Sequence, residues 1–149
     1  MIPNLNIIGS GLTGPLLGAL LASKYKYNIN MYERSFDCRK SKIYSGRSIN
    51  LALSNRGINA LKYAGVFDKT FETLLIPMYG RTIHSQDEKQ IFQPYGNKKE
   101  HFINSISRSD INKILLDAAE KTNKVNLTFN AKCNKVDLKN NKMYFNKDV

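Results

Sequence analysis

Asn4-Leu-Asn-Ile-Ile-Gly9-Ser-Gly11-Leu-Thr-Gly14 stands near the start of the chain, and Glu33 closes the next apolar run. A short apolar strand runs into a Gly-x-Gly-x-x-Gly turn that opens a helix, and an acid follows nineteen positions after Gly14. That order is the one in which backbone wraps around a dinucleotide. Gly9 permits the tight turn, and Gly11 has no side chain to hold a pyrophosphate away. Gly14 lets helix and strand pack closely. The helix N-terminus then offers unpaired N–H groups and partial positive charge to phosphates, and Glu33 offers an acceptor to a ribose diol. A glycine triplet alone also fits an ordinary glycine-rich turn. The strand, helix, second strand and acid in sequence favour nucleotide binding.

The chain has 149 residues, enough for one domain with a real core and too few for two. Hydrophobic residues make up 42 % of it and no long biased tract interrupts them, so disorder is not expected. The formal net charge of +11 raises the question of nucleic acid. The basic residues are scattered, however, and the nearest cluster, Arg39, Lys40 and Lys42, is small. No nucleic-acid partner is expected; a basic surface would also assist capture of anionic nucleotides or acidic substrates. The apolar stretch around residues 16–22 is too short to span a bilayer and contains Gly18. No basic-then-apolar leader precedes the first strand. A cytoplasmic location without membrane attachment is therefore the expectation. Cys38 and Cys133 lack metal-ligand spacing and suggest no disulfide framework; they read as two thiols without redox or metal role in a reducing cytoplasm.

Residues 5–8 read as a buried strand, 13–24 as the following helix and 28–32 as a second strand, parallel to the first by the handedness rule. Pro15 falls in the helix's first turn, where a missing N–H does no harm, and Leu16, Leu17, Ala19, Leu20 and Ala22 are its expected apolar face. A long polar segment, 34–46, replaces a prompt second crossover. A helix is expected over 55–64, stopped by Gly65, then a short helix or turn over 66–75. From Met78 the period shifts toward two. Strands are expected at 81–85 and 90–93 around an Asp87-Glu88-Lys89 turn, and again at 102–106. An amphipathic helix over 108–121 follows, with Ser109 as its expected cap. Further strands are expected at 125–129, 132–138 and 143–145.

The run Gly46-Arg-Ser-Ile-Asn-Leu-Ala-Leu-Ser-Asn-Arg-Gly57 closely resembles the kynurenine 3-monooxygenase family. So do Ile76-Pro-Met-Tyr-Gly-Arg-Thr-Ile-His84, Gln93-Pro-Tyr-Gly96 and Ser105-Ile-Ser-Arg108. The resemblance covers essentially the whole chain, least of all residues 34–45. It implies an α/β fold: a Rossmann-like FAD-binding domain with a parallel sheet plus an antiparallel substrate-side hairpin, an incomplete group A flavin monooxygenase. Residues 1–149 would be the N-terminal part of the FAD-binding domain, including the start of the substrate-binding sheet at about 76–106.

Residue by residue, the resemblance places Gly9, Gly11, Thr13 and Gly14 on the FAD pyrophosphate turn. Glu33 and Arg34 fall at the adenosine end, with Glu33 on the ribose. Ala52 falls beside the flavin, Arg108 near phosphate or ribose oxygens, and the Cys133 strand along the adenine. Arg81 and Tyr95 match the pair that grips the substrate carboxylate. A hairpin centred on Glu88 would set those two directly opposite each other, with Cβ atoms about 4.5–5.5 Å apart. On residue type alone, Arg81 would be a surface arginine and Tyr95 a half-buried tyrosine. His84 and His101 read as structural or surface residues.

The implied chemistry is hydroxylation of L-kynurenine to 3-hydroxykynurenine, in tryptophan catabolism toward nicotinamide cofactors. NADPH would reduce FAD and O2 would supply the oxygen atom. No protein nucleophile and no metal is implied, so no catalytic side chain is expected. The family's members are much longer, so the 149 residues are expected to hold FAD weakly and not to turn over. Alternatives are a related FAD-dependent hydroxylase for another aromatic acid and a truncated, non-catalytic nucleotide-binding module.

Overall fold

Two helices laid against one face of a short parallel sheet build the part of the molecule that holds the glycine turn. The computed structural model describes residues 2–40, 49–98 and 100–146. Gly46, Arg47 and Ser48 of the family-like run, with Lys42, lie outside these residues.

The apolar run ending at Ile8 forms β1 (Asn4–Ile8), which is followed by α1 (Thr13–Lys24) and β2 (Asn28–Tyr32). β1 and β2 pair in parallel, Ile7 against Met31. The third strand, β8 (Val125–Thr128), arrives much later in the chain and pairs in parallel with β2, giving the order β1-β2-β8. Ile7, Ile29, Met31 and Val125 share a buried cluster with Ala19 and Ala22 of α1. Small residues make this contact possible, since a Cβ on Gly18 would lie 2.9 Å from Met31 Cε. Leu17 departs from the expected apolar face: it is 41 % exposed, and Pro15, Gly18, Ala19 and Ala22 take the inward positions.

The sheet's opposite face carries an asparagine row. Asn30 donates to Asn6 at 3.3 Å and Asn126 donates to Asn30 at 3.2 Å, one amide from each strand.

A second sheet, of order β3-β7-β4, is antiparallel throughout. It comprises β3 (Asn50–Leu53), β4 (Ile76–Met78) and β7 (Ile103–Ser107). β7 runs directly into α4 (Arg108–Glu120), the long amphipathic helix, which buries Ile111, Leu115, Leu116 and Ala119. Fully burying one such side chain contributes about 1.5–3 kcal/mol. The helix is capped by Ser107, not by Ser109: the Ser107 hydroxyl accepts from Asp110 N at 3.3 Å. Ser107 is extended while Ser109 already lies within the helix, and only a residue outside the helical backbone can cap this way. α2 (Asn55–Tyr63) and α3 (Lys69–Glu72) pack with α4, and Leu61 and Phe71 join Ile106, Ile111 and Leu115 in a second cluster. Gly65 ends α2's reach at φ +72°, a conformation that favours glycine.

Two hairpins complete the described structure: β5 (Gly80–His84) with β6 (Gln90–Pro94), and β9 (Cys133–Asp137) with β10 (Lys142–Phe145). Among the described residues no helix is long and apolar enough to cross a membrane.

Candidate functional site

The glycine turn has the geometry its residues require. Gly9 adopts φ +98° and its N–H donates to Tyr32 O at 2.8 Å, which pins the turn to the end of β2. A Cβ on Gly14 would sit 2.1 Å from Gly9 O, so only glycine fits where α1 passes its own strand. Gly11 is the opposite case: among the described residues a Cβ there would meet nothing within 4 Å. Among those residues the space over Gly11 is open, as an approaching pyrophosphate needs. Thr13 stands exposed at the first position of α1.

Glu33 leaves β2 pointing back at this turn. Its carboxylate accepts from Ser10 N at 2.8 Å, from Ser10 Oγ at 3.3 Å and from Ser35 N at 2.9 Å. Burial alone would raise the carboxyl's pKa, but the hydrogen bonds from Ser10 and Ser35 outweigh it and hold it below the usual value. At neutral pH Glu33 is thus an ionised, acceptor-only group beside the glycines. Its backbone faces the other way: Glu33 N donates to Thr128 O at 2.8 Å and Ala131 N donates to Glu33 O at 2.7 Å. These bonds bring the start of β9, with Cys133, to the far side of Glu33. Tyr32 stacks on Phe145, the strand partner of Cys133, with ring centroids 4.6 Å apart. The Cys133 thiol is oriented toward Lys135 O at 3.7 Å. Arg34 is exposed next to Glu33.

On the turn's other flank lies the start of α4. Arg108 is exposed, and its N–H donates to Ile49 O at 3.1 Å, tying the helix to the chain just before β3. One helical turn on, Asn112 reaches the glycines. With Nδ2 facing them, its amide donates to Ser10 O at 3.2 Å and to Gly11 O at 3.1 Å, the orientation those two acceptors select. Residues four apart share a helix face, so Arg108 stands one turn from this contact on the same side. Ala52 lies exposed on β3 opposite Ser105 of β7. Hydrogen bonds thus link Glu33 to the glycine turn, the turn to Asn112 of α4, and the start of α4 to the chain just before β3.

Arg81 and Tyr95 do not face each other directly. Arg81 pairs with Gln93, and Tyr95 N donates to Tyr79 O at 2.9 Å. The loop is Gln86-Asp87-Glu88: Glu88 N donates to Ser85 O at 3.1 Å, Ser85 N donates to Lys89 O at 3.0 Å, and Glu88 takes φ 61°. That is a three-residue hairpin loop ending in a left-handed residue, centred on Asp87 rather than Glu88. Moving the centre by one residue moves each partner by two, so Tyr95 stays on Arg81's face as a diagonal neighbour, within reach of a long side chain. Arg81 Nε donates to Gln93 Oε1 at 2.8 Å. His84 is the strand partner of Gln90, and the His101 side chain packs on Gly96.

Three participants escape a reading of the sequence. Ser10 occupies the variable position of the glycine motif, where no residue type is demanded. Asn112 sits among apolar neighbours on α4's inward stripe, and that interruption was the available signal. Arg39 forms a bidentate pair with the buried Asp37, Nε at 2.9 Å and Nη2 at 2.8 Å, and also reaches Asp117 and Glu120 at 2.8 Å each. This network fastens the segment after β2 onto α4. Among the described residues no cluster of three or more metal-ligating side chains occurs.

Strand, glycine turn, helix and inward-aimed acid build an α/β fold that is shared with solved oxygenase and flavoprotein structures. The solved structure of 2-methyl-3-hydroxypyridine-5-carboxylic acid oxygenase (C294A mutant) superposes with TM-score 0.69 at 14 % identity, covering 97 % of this chain and 37 % of that one. A flavoprotein/dehydrogenase from Cytophaga hutchinsonii gives TM-score 0.64 at 15 % identity, covering 91 % and 32 %. The sequence is similar to those of kynurenine 3-monooxygenases. The Legionella pneumophila (strain Corby) enzyme is 41 % identical over 142 residues, 95 % of this chain. That of Caenorhabditis elegans is 39 % identical over 137 residues, 91 % of this chain. The chain spans 31 % and 29 % of the lengths of these two relatives. No protein-family model matches it.

Proposed function

We propose that this chain forms the FAD-binding part of a kynurenine 3-monooxygenase. The observation that carries the proposal is the ionised Glu33 carboxylate held against the glycine turn, beside the open space over Gly11. The residues present fit the cofactor. Gly9, Gly11, Thr13 and Gly14 would cradle the pyrophosphate, Glu33 would accept from the ribose hydroxyls, and Arg34 and the Cys133 strand would flank the adenosine. Arg108 would neutralise phosphate charge, and the small Ala52 would let the flavin ring approach the sheet.

FAD reduced by NADPH would supply the O2-derived oxygen atom that converts L-kynurenine to 3-hydroxykynurenine. The chain's own part is to bind and orient. Arg81 is a guanidinium fork suited to a carboxylate and Tyr95 a phenol donor on the same face of the hairpin; together they would grip the amino-acid end of the substrate. Arg81's bond to Gln93 holds the guanidinium in place before substrate arrives. Domain assignment follows: residues 1–149 belong to the FAD-binding domain, with the substrate side beginning at about 76, in a cytoplasmic protein.

Titration of the chain with FAD, followed by flavin fluorescence, tests this. Saturable one-to-one binding is expected, weakened about tenfold by Glu33→Gln, the loss of one hydrogen bond to a charged acceptor. Failure to bind FAD, or equal affinity in the variant, overturns the cofactor assignment. Steady NADPH oxidation coupled to hydroxylation by the isolated chain would overturn the expectation that it does not turn over alone.

A further inference from the structure

A peptide plane fixes the directions of the glycine turn's donors. Across a trans peptide the C=O and the following N–H point opposite ways. The Ser10 carbonyl shares its plane with the Gly11 N–H, and the Gly11 carbonyl shares its plane with the Leu12 N–H. Both carbonyls are held by one side chain on α4, the Asn112 amide, at 3.2 and 3.1 Å. Holding them on the α4 side turns the Gly11 and Leu12 N–H groups to the side away from it. Among the described residues neither N–H donates to the protein, and the space over Gly11 is open.

We propose that Asn112 is a positioning residue for the diphosphate. Resting on the FAD assignment above, this deepens it: Asn112 clamps the Ser10 and Gly11 carbonyls so that the next two N–H groups form a preset anion nest. An apolar side chain there could pack but could not hold the carbonyls. A carboxylate of the same shape would oppose them, oxygen against oxygen. The other end of the amide, Oδ1 in this orientation, lies 3.6 Å from Cys38 Sγ on the segment after β2. Asn112 touches neither ribose nor adenine in this scheme, so it would act on ligands with a diphosphate and not on adenosine.

The test uses the chain with Asn112→Leu, uncharged and of similar size, and Asn112→Asp, nearly isosteric. Backbone 15N relaxation reads the turn directly. Order parameters of the Gly11 and Leu12 amides are expected near 0.85 in the unaltered chain, falling below about 0.6 in both variants. Dissociation constants for FAD and ADP are expected to rise about tenfold, with adenosine binding and the thermal midpoint little changed. A merely structural role would lower the midpoint and weaken all three ligands alike, and that result overturns the proposal. So do unchanged order parameters or unchanged FAD affinity in a chain that binds FAD. An unaltered chain that binds neither FAD nor ADP instead brings down the cofactor assignment itself, and the diphosphate role falls with it.

Discussion

The β1-β2-β8 sheet and the β5–β6 hairpin are both rich in apolar side chains and treat them oppositely. Ile29 and Met31 are 0 % and 1 % exposed, whereas Ile91 and Phe92 on the hairpin are 58 % and 61 % exposed. In the first region burial selects the register, because a slip by one residue would turn every apolar side chain to the wrong face. In the second, both faces are solvated and burial selects nothing. Register there follows from the loop: a left-handed Glu88 closing a three-residue turn. The lesson concerns where structural information resides. A packed sheet reads out a pattern spread over many residues, while a solvated ribbon reads out the backbone preference of very few.

The contrast breaks first at the glycines. Gly14→Ala forces a Cβ to within 2.1 Å of Gly9 O and is expected to lower unfolding free energy in urea by about 3 kcal/mol, as overpacking does. Gly11→Ala, facing open space, should change it by less than about 0.5 kcal/mol while weakening FAD binding. Equal effects of the two would remove the distinction between a packed and a presented glycine.

A smaller effect is expected at the join between β2's exit and α4. Arg39→Ala strands the buried Asp37 and should cost about 2 kcal/mol at pH 7. The hydrogen bonds from the Arg39 side chain hold the Asp37 carboxyl below its usual pKa. A carboxyl lowered in this way stabilises the fold above its unfolded value, about pH 4, and that stabilisation is lost as pH falls through the lower folded value. The difference between the two proteins should therefore shrink in denaturation curves taken below about pH 4; a constant difference down to pH 2 would show that Asp37 is not its source.

The smallest change expected is a gain. Glu88→Gly relieves a non-glycine φ of 61° and should stabilise the hairpin by about 0.5–1 kcal/mol, read by hydrogen exchange of the Ser85 amide. Destabilisation would mean that the loop does not set the register.

Much of the fold was legible in the sequence because its elements carry local signatures. Thr13 through Lys24 and Asn28 through Tyr32 form the helix and strand their pattern predicts, and Gly9 sits where its backbone freedom is used. The short strands Asn50–Leu53 and Ile76–Met78 were not legible. With four and three residues, and Pro77 in one of them, they have too few positions for a period to show. They exist because β7 lies between them with free hydrogen-bonding edges. Glycine turn, Glu33 and Arg108 came from motif and resemblance. Ser10 and Asn112 did not: Ser10 holds a variable position of the motif, and Asn112 showed only as an interruption of α4's apolar stripe. The pairing of Arg81 with Gln93 instead of Tyr95 was hidden by the loop's conformation, which depends on one residue's φ.

The asparagines Asn6, Asn30 and Asn126 add a consequence of their own. Asn30 donates to Asn6 and accepts from Asn126, so the middle strand is addressed from both sides at a single rung. Were any strand displaced by one step, an amide would enter the oily layer beneath α1 and each neighbour in the row would lose a partner. The row thus acts as an alignment mark that penalises strands paired out of register.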